Sequence, residues 1–156
     1  MKKLYALITG ASSGIGSEIA ISLAERGFNI ILTARREERL IALTKDLQDR
    51  YGVHADYVTG DLASPETPQE IYNFCKERNY EVEVLVNNAG YGLPKQFHET
   101  PMEDEEKNIR VLSTSVIALS KIFIPDMLER KSGKIMIISS VASFAPPSTL
   151  QVLYGP

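Results

Sequence analysis

The sequence has a single cysteine, Cys75, and two histidines among its 156 residues. One thiol cannot close an internal disulfide, and it leaves none of the paired cysteine spacings that hold zinc. Cys75 falls in a predicted helix, where a free thiol behaves as a small buried hydrophobe. His54 and His98 lie far apart with no helical pairing, so no metal site is expected. Positive charge is in short supply too. Seventeen lysines and arginines against 20 aspartates and glutamates give a formal charge of −3. With the two signs interspersed there is no basic patch, and nucleic acid is not an expected partner. No stretch comes near the roughly 18 consecutive apolar residues of a membrane span. Met1-Lys2-Lys3 before the run Leu4 to Ile8 imitates the start of a signal peptide, but that run is too short and flows into glycines. The expected location is cytoplasmic, with no membrane partner.

What is present is ordinary for a globular chain: 44% apolar and 24% charged residues, enough for one domain over 1–156 with a sizeable core. Short β-rich runs alternate with amphipathic stretches. Strands are expected at Leu4 to Ile8, Phe28 to Thr33, Val53 to Thr59, Glu83 to Asn87 and Lys134 to Ser139. Between them, Ile15, Ile19 and Leu23 recur at helical spacing, as do Leu40, Leu43 and Leu47. Ser64-Pro65-Glu66 reads as an N-cap with proline at the first helical position, opening a helix to about Asn79. Thr100-Pro101-Met102-Glu103 reads as a second start, with a capping box. Continuous apolar strands alternating with helices require a parallel sheet covered on both faces.

The long helix after Thr100 carries one stripe of Ile109, Leu112, Val116, Leu119 and Phe123, and a second of Val111, Ala118 and Ile122. A helix lying on a sheet needs one apolar face. Two imply a cover from another molecule, so a homo-oligomer through this helix is expected; a helix sunk in a larger core is the alternative.

Thr9-Gly10-Ala11-Ser12-Ser13-Gly14-Ile15-Gly16 places three glycines between the first strand and the first helix. Glycine there permits positive φ, close approach of backbone to phosphate and tight helix–strand packing, and the helix amino end favours an anion. This TGxxxGxG stretch, Asn87-Asn88-Ala89-Gly90, Asp61-Leu62 and the strand ending in Ser139-Ser140 together resemble the short-chain dehydrogenase/reductase family, from residue 4 to the C-terminus. The resemblance implies a Rossmann-type doubly wound parallel sheet of about five strands in the order 3-2-1-4-5, incomplete at its C-terminal edge. It implies an oxidoreductase moving a hydride between nicotinamide and a carbonyl or alcohol substrate. Gly10, Ser12, Ser13, Gly14, Ile15 and Gly16 would meet the pyrophosphate, Asp61 and Leu62 the adenine, and Asn87, Asn88, Ala89 and Gly90 the nicotinamide ribose. Ser140 would orient the substrate oxygen and Tyr154 exchange its proton.

Cofactor choice rests on the end of the second strand. Folds that prefer NAD place a carboxylate there for the ribose 2′-hydroxyl. Here Ala34 is followed by Arg35 and Arg36, and a guanidinium can fork onto a 2′-phosphate. NADP is therefore expected over NAD, with Arg35 as the contact and one of the two arginines simply opening a solvated helix. Ser12 and Ser13 are neutral, so the glycine loop brings no base of its own.

Three departures from the family pattern bear on catalysis. The lysine four residues after the tyrosine would fall beyond Pro156, and without a cation a phenol of pKa about 10 is roughly 4 kcal/mol from ionised at pH 7. The family's relay asparagine aligns with Leu112, which cannot hydrogen-bond a water; Asn108, one turn earlier, is the candidate substitute. Ser140 and Tyr154 are one residue further apart than usual, a difference that Pro146-Pro147 could absorb. The expected reading is an N-terminal portion of a longer enzyme, impaired as it stands and with its last strand an unprotected edge. The alternative is a dinucleotide-binding or assembly module without turnover.

Overall fold

The computed structural model of the protein describes residues 4–144. Five parallel strands, β1 (Leu4–Thr9), β2 (Asn29–Ala34), β3 (Ala55–Thr59), β4 (Glu81–Asn87) and β5 (Lys134–Ile137), form one sheet in the order β3-β2-β1-β4-β5. Between them run α1 (Ile15–Glu25), α2 (Glu37–Tyr51), α3 (Thr67–Glu77), α4 (Met102–Ile109) and α5 (Ser115–Arg130). The doubly wound architecture and the strand order are as the sequence implied. Among the described residues β5 is an edge, and its Met136 and Ile137 are exposed.

The central strands are buried on both faces, so successive residues feed two separate cores. Tyr5, Leu7, Ile31 and Leu85 pack with Ile71 and Cys75 of α3 and with Leu119 and Phe123 of α5. Ala6, Ile8, Ile30 and Leu32 pack with Ala20 and Ala24 of α1 and with Leu40 and Leu47 of α2. Fully burying each leucine or isoleucine contributes about 1.5–3 kcal/mol. A bulge keeps β4 in step with both layers. Tyr5 pairs with Val82 and Ala6 with Val84, leaving Glu83 as the extra residue. Val82 and Leu85 then face one core while Val84 and Val86 face the other. Ser132 Oγ donates to Glu83 Oε1 at 2.7 Å, which ties the bulge to the turn before β5.

Two expected helix starts are corrected. α3 begins at Thr67, with Pro68 in its first turn, and not at Pro65. Asp61 captures the earlier proline pair in a turn: its Oδ1 accepts the Ala63 N–H at 3.0 Å, and its carbonyl accepts the Ser64 N–H at 2.9 Å. Ser64 Oγ donates to Glu66 and holds that carboxyl below the ordinary range. The capping box at Thr100 does not form. Thr100 Oγ1 donates back to the Gln96 carbonyl, and Glu103 pairs with Lys107 at 2.6 Å, so α4 starts at Met102 without a side-chain cap.

The long helix is also not the single α-helix that its spacing suggested. A π-turn, Arg110–Thr114, separates α4 from α5. There the Ser115 N–H reaches back to the Arg110 carbonyl, and Ser115 Oγ donates to the Val111 carbonyl at 2.8 Å. The extra residue rotates the upstream turn relative to the downstream stripe. Glu105, Asn108, Val111, Ser115, Leu119, Phe123 and Met127 are the buried positions, whereas Ile109 is exposed and Val111 belongs to the core. Ile117, Ile124 and Leu128 face outward. Taken together, residues Met102–Arg130 form 29 helical residues that are apolar enough, by length and composition, to cross a bilayer. That departs from the expectation of no such segment. The face carrying Leu119, Phe123 and Met127 is buried against the sheet layer.

Candidate functional site

All five strands point their carboxyl ends to one side, where the loops open into a cleft of about 450 Å³. This is where ligands bind in open α/β sheets, and the volume suits a ligand pocket.

The first wall is the glycine loop between β1 and α1. Gly10 takes φ 66°, and a Cβ there would lie 2.8 Å from Ala89 Cα, so the β1 turn and the β4 turn touch through backbone. Asn88 makes the same join with side-chain bonds. Its Nδ2 donates to the Thr9 carbonyl at 2.9 Å, while Thr9 Oγ1 accepts the N–H groups of Asn88 and Ala89 at 2.9 and 3.0 Å. Gly16 lets α1 sit against this join, since a Cβ would meet Asn88 Nδ2 at 2.5 Å. No side chain caps the amino end of α1 at Gly14. Its first-turn N–H groups and the helix dipole present a seat for an anion.

The second wall is the end of β2. Arg36 Nη2 donates to Ser12 Oγ at 2.9 Å and to Ser13 Oγ at 2.7 Å, and its Nε reaches Ser12 Oγ at 3.3 Å. Accepting from the guanidinium leaves both hydroxyl protons available to an incoming acceptor. The neutral serines therefore carry the arginine's charge to the glycine loop. Arg35 instead stands 5.8 Å over the Tyr91 ring, from the loop after β4. Asp61 and Leu62 close the adjacent side.

The far end is apolar. Val111, Leu112 and Val116 from the π-turn region and Ile137 from β5 form its wall, with Ser139 and Ser140 at the mouth. Leu112 presses on Gly90, where a Cβ would come within 3.0 Å of Leu112 Cδ2. Asn108 is buried and donates through Nδ2 to the Tyr91 carbonyl at 2.8 Å; it braces the loop and does not line the cleft.

Of the sequence-derived site residues, Gly10, Ser12, Ser13, Ile15, Arg35, Asp61, Leu62, Asn87 to Gly90 and Ser140 line this one cleft. Gly14 and Gly16 sit behind it as turn and packing residues. Tyr154 and Pro146-Pro147 lie outside the described residues. Residue spacing did not single out Thr9, Tyr91 or the Arg36–serine clip. Thr9 precedes the glycines directly, and Arg36 adjoins the arginine that was chosen, so both had a signal; Tyr91 had only its place after Gly90.

A dinucleotide fits the residues present. Two oxygens from cleft-lining residues, Thr33 Oγ1 and Asn87 Oδ1, are buried without a hydrogen-bond partner, and such atoms ordinarily find one. The uncapped helix end and the arginine–serine clip present donors suited to a phosphorylated ligand.

Fold and cleft thus define a Rossmann-type α/β domain. The chain belongs to the short-chain dehydrogenase family, whose pattern it matches over residues 4–155. It is 32% identical over 155 residues to a very-long-chain 3-oxoacyl-CoA reductase of Phaeosphaeria nodorum, covering 97% of this chain and 46% of the relative. It is 36% identical over 151 residues to a human protein named inactive hydroxysteroid dehydrogenase-like protein 1, covering 94% and 44%. A short-chain dehydrogenase from Sphingobium yanoikuyae, solved in complex with NADPH, superposes with a TM-score of 0.89 at 34% identity, covering 97% of this chain and 58% of that one. The chain spans about half the length of the curated relatives it matches.

Proposed function

We propose that the chain binds NADP(H) and serves hydride transfer between its nicotinamide and a small carbonyl or alcohol substrate. The observation that carries this reading is the clip of Arg36 on Ser12 and Ser13 beside an uncapped helix amino end, in the same cleft as the Asn87–Gly90 loop and Ser140. Gly10, Ile15 and the first turn of α1 would hold the pyrophosphate. Arg36, Ser12 and Ser13 would take the 2′-phosphate, with Arg35 alongside, which moves the main contact one residue along from the sequence expectation. Asp61 and Leu62 would meet the adenine. When bound, the nicotinamide supplies or takes the hydride. Ser140, three residues beyond β5, would orient the substrate oxygen, with Leu112, Val116 and Ile137 as apolar neighbours lining the cleft.

Fluorescence titration of the full chain with NADPH and NADH tests the assignment. Arg36→Gln removes charge-assisted hydrogen bonds of about 1.5–3 kcal/mol, so NADPH binding weakens roughly tenfold or more while NADH binding is unchanged. Tighter binding of NADH than NADPH by the unaltered chain refutes the cofactor assignment.

Leu112 supports a second reading, nucleotide binding without turnover. It puts an alkyl wall at the position where the family resemblance implies a hydrogen-bonding relay, and one relative carries the name inactive. NADPH binding with no carbonyl reduction across a panel of ketones separates the two. We also propose self-association through the outward face of α5, where Ile117, Ile124 and Leu128 are 61%, 38% and 70% exposed. Sedimentation of the Leu128→Glu variant as a smaller species than the parent supports it.

A further inference from the structure

We infer that Tyr91 is a positioning residue for cofactor selectivity, acting through Arg35; the inference rests on the NADP(H) reading above. Arg35 leaves the end of β2 with an exposed side chain that makes no hydrogen bond or ion pair among the described residues. A long side chain in that situation samples many rotamers, and fixing one for a ligand costs conformational entropy. Tyr91 counters that freedom. It follows β4 in the chain, and the Arg35 guanidinium stands 5.8 Å over its ring, within the range of cation–π attraction. Both residues line the cleft.

The contact is compatible with anion recognition. The attraction to the ring occupies none of the guanidinium N–H donors, which remain able to fork onto a phosphate. Tyr91 itself is held from behind by Asn108 Nδ2, which is buried and donates to the Tyr91 carbonyl. The chain of support runs from α4 through Asn108 and Tyr91 to the Arg35 charge. Across the same cleft end, Arg36 is already fixed on Ser12 and Ser13. Two guanidinium groups of one cleft are thus held by different means, Arg36 by hydrogen bonds and Arg35 by a ring. A 2′-phosphate gains from both; a 2′-hydroxyl gains little from the second. The signature of Tyr91 is therefore in the ratio of the two affinities, not in binding as such.

The test uses the full chain, NADPH and NADH, and the variants Tyr91→Leu, Tyr91→Phe and Arg35→Gln. Tyr91→Leu weakens NADPH by about 2- to 5-fold, the range for an exposed cation–π contact, and leaves NADH unchanged. Tyr91→Phe keeps the ring and the parental ratio. In the Arg35→Gln background, Tyr91→Leu has no further effect on NADPH. Parallel weakening of both nucleotides would make Tyr91 a structural residue and overturn the inference. So would unchanged or tighter NADPH binding by Tyr91→Leu, or an undiminished effect without Arg35. If the unaltered chain bound neither nucleotide, the cofactor reading would fall and this one with it; if it bound NADPH and Tyr91→Leu kept the ratio, only this one would.

Discussion

Replacing Gly16 by alanine asks whether the glycine loop is fixed by packing or merely permitted by backbone freedom. Gly16 is buried in the first turn of α1, and its φ is not positive. In an open helix the exchange would stabilise by about 1 kcal/mol. Here the new Cβ would lie 2.5 Å from Asn88 Nδ2 and 2.6 Å from the Gly10 oxygen. Neither neighbour is free to yield. Asn88 Nδ2 holds the Thr9 carbonyl, and Gly10 is packed against Ala89. Overpacking costs about 1–3 kcal/mol, and losing the Asn88 bond costs about 0.5–1.5 kcal/mol. After the helix gain, the net loss expected is about 0.5–3.5 kcal/mol.

Urea unfolding of the full chain measures that loss, and NADPH titration reads its second consequence. Relieving the clash moves the Gly10 carbonyl and the Asn88 amide, and with them the glycine loop, so under the proposed function NADPH binding weakens tenfold or more. Gly14→Ala is the contrasting variant: a Cβ there meets nothing within 4 Å, but φ is 61°. Its cost is backbone strain of about 1–3 kcal/mol, because φ 61° with ψ −137° is a conformation that residues other than glycine disfavour. A Gly16→Ala protein as stable as its parent, with the same NADPH affinity, would refute the packing argument.

Thr9→Val keeps the side-chain shape but leaves the N–H groups of Asn88 and Ala89 without their acceptor. At about 1–3 kcal/mol for each orphaned donor, the urea midpoint should fall well below that of Thr9→Ser. Alkaline pH should destabilise the fold. Burial and the Asp56 hydrogen bond raise the Tyr80 hydroxyl, and burial raises Tyr5. A raised folded pKa contributes stability that is full below the unfolded value of about 10 and fades above it. The melting temperature should therefore drop above about pH 10, less steeply in Tyr80→Phe; no difference between the two proteins would refute this. Burial pushes the Cys75 thiol up to about 12, so a thiol reagent at pH 8 should label the native chain far more slowly than the chain in urea.

The strand order and most of the cleft were legible because they depend on backbone. Short apolar runs at residues 5–8, 30–32 and 84–86, each followed by turn or helix signals, suit strands buried on both faces, and the glycines mark where chain must approach chain. What escaped the sequence was set by competition between neighbours. Ser64-Pro65 and Thr67-Pro68 are equally good helix starts, and Asp61 decided between them by taking the first into a turn. Thr100 and Glu103 form a capping box on paper, yet Lys107 lies one turn on and claims the carboxylate. The π-turn left no periodic trace because Ile109, Leu112 and Val116 fit an ordinary helix equally well. The burial of Glu105 and Asn108, two polar residues, and the exposure of Ile109 reveal the rotation.

That rotation also shapes what the cleft can do. By bringing Val111 inward and setting Leu112 against Gly90, the π-turn gives one end of the cleft an alkyl wall, while Arg36, Ser12, Ser13 and the amino end of α1 keep the other end polar. The two ends answer to different forces. The polar end gains from charge and directed hydrogen bonds, which salt weakens; the apolar end gains from excluded water, which salt does not weaken in that way. Under the proposed function, nucleotide affinity should fall as ionic strength rises, and Leu112→Asn should change turnover while leaving NADPH affinity near the parental value. A variant that altered affinity and turnover together would mean that the two ends are a single unit, and the separation of nucleotide binding from chemistry would not hold.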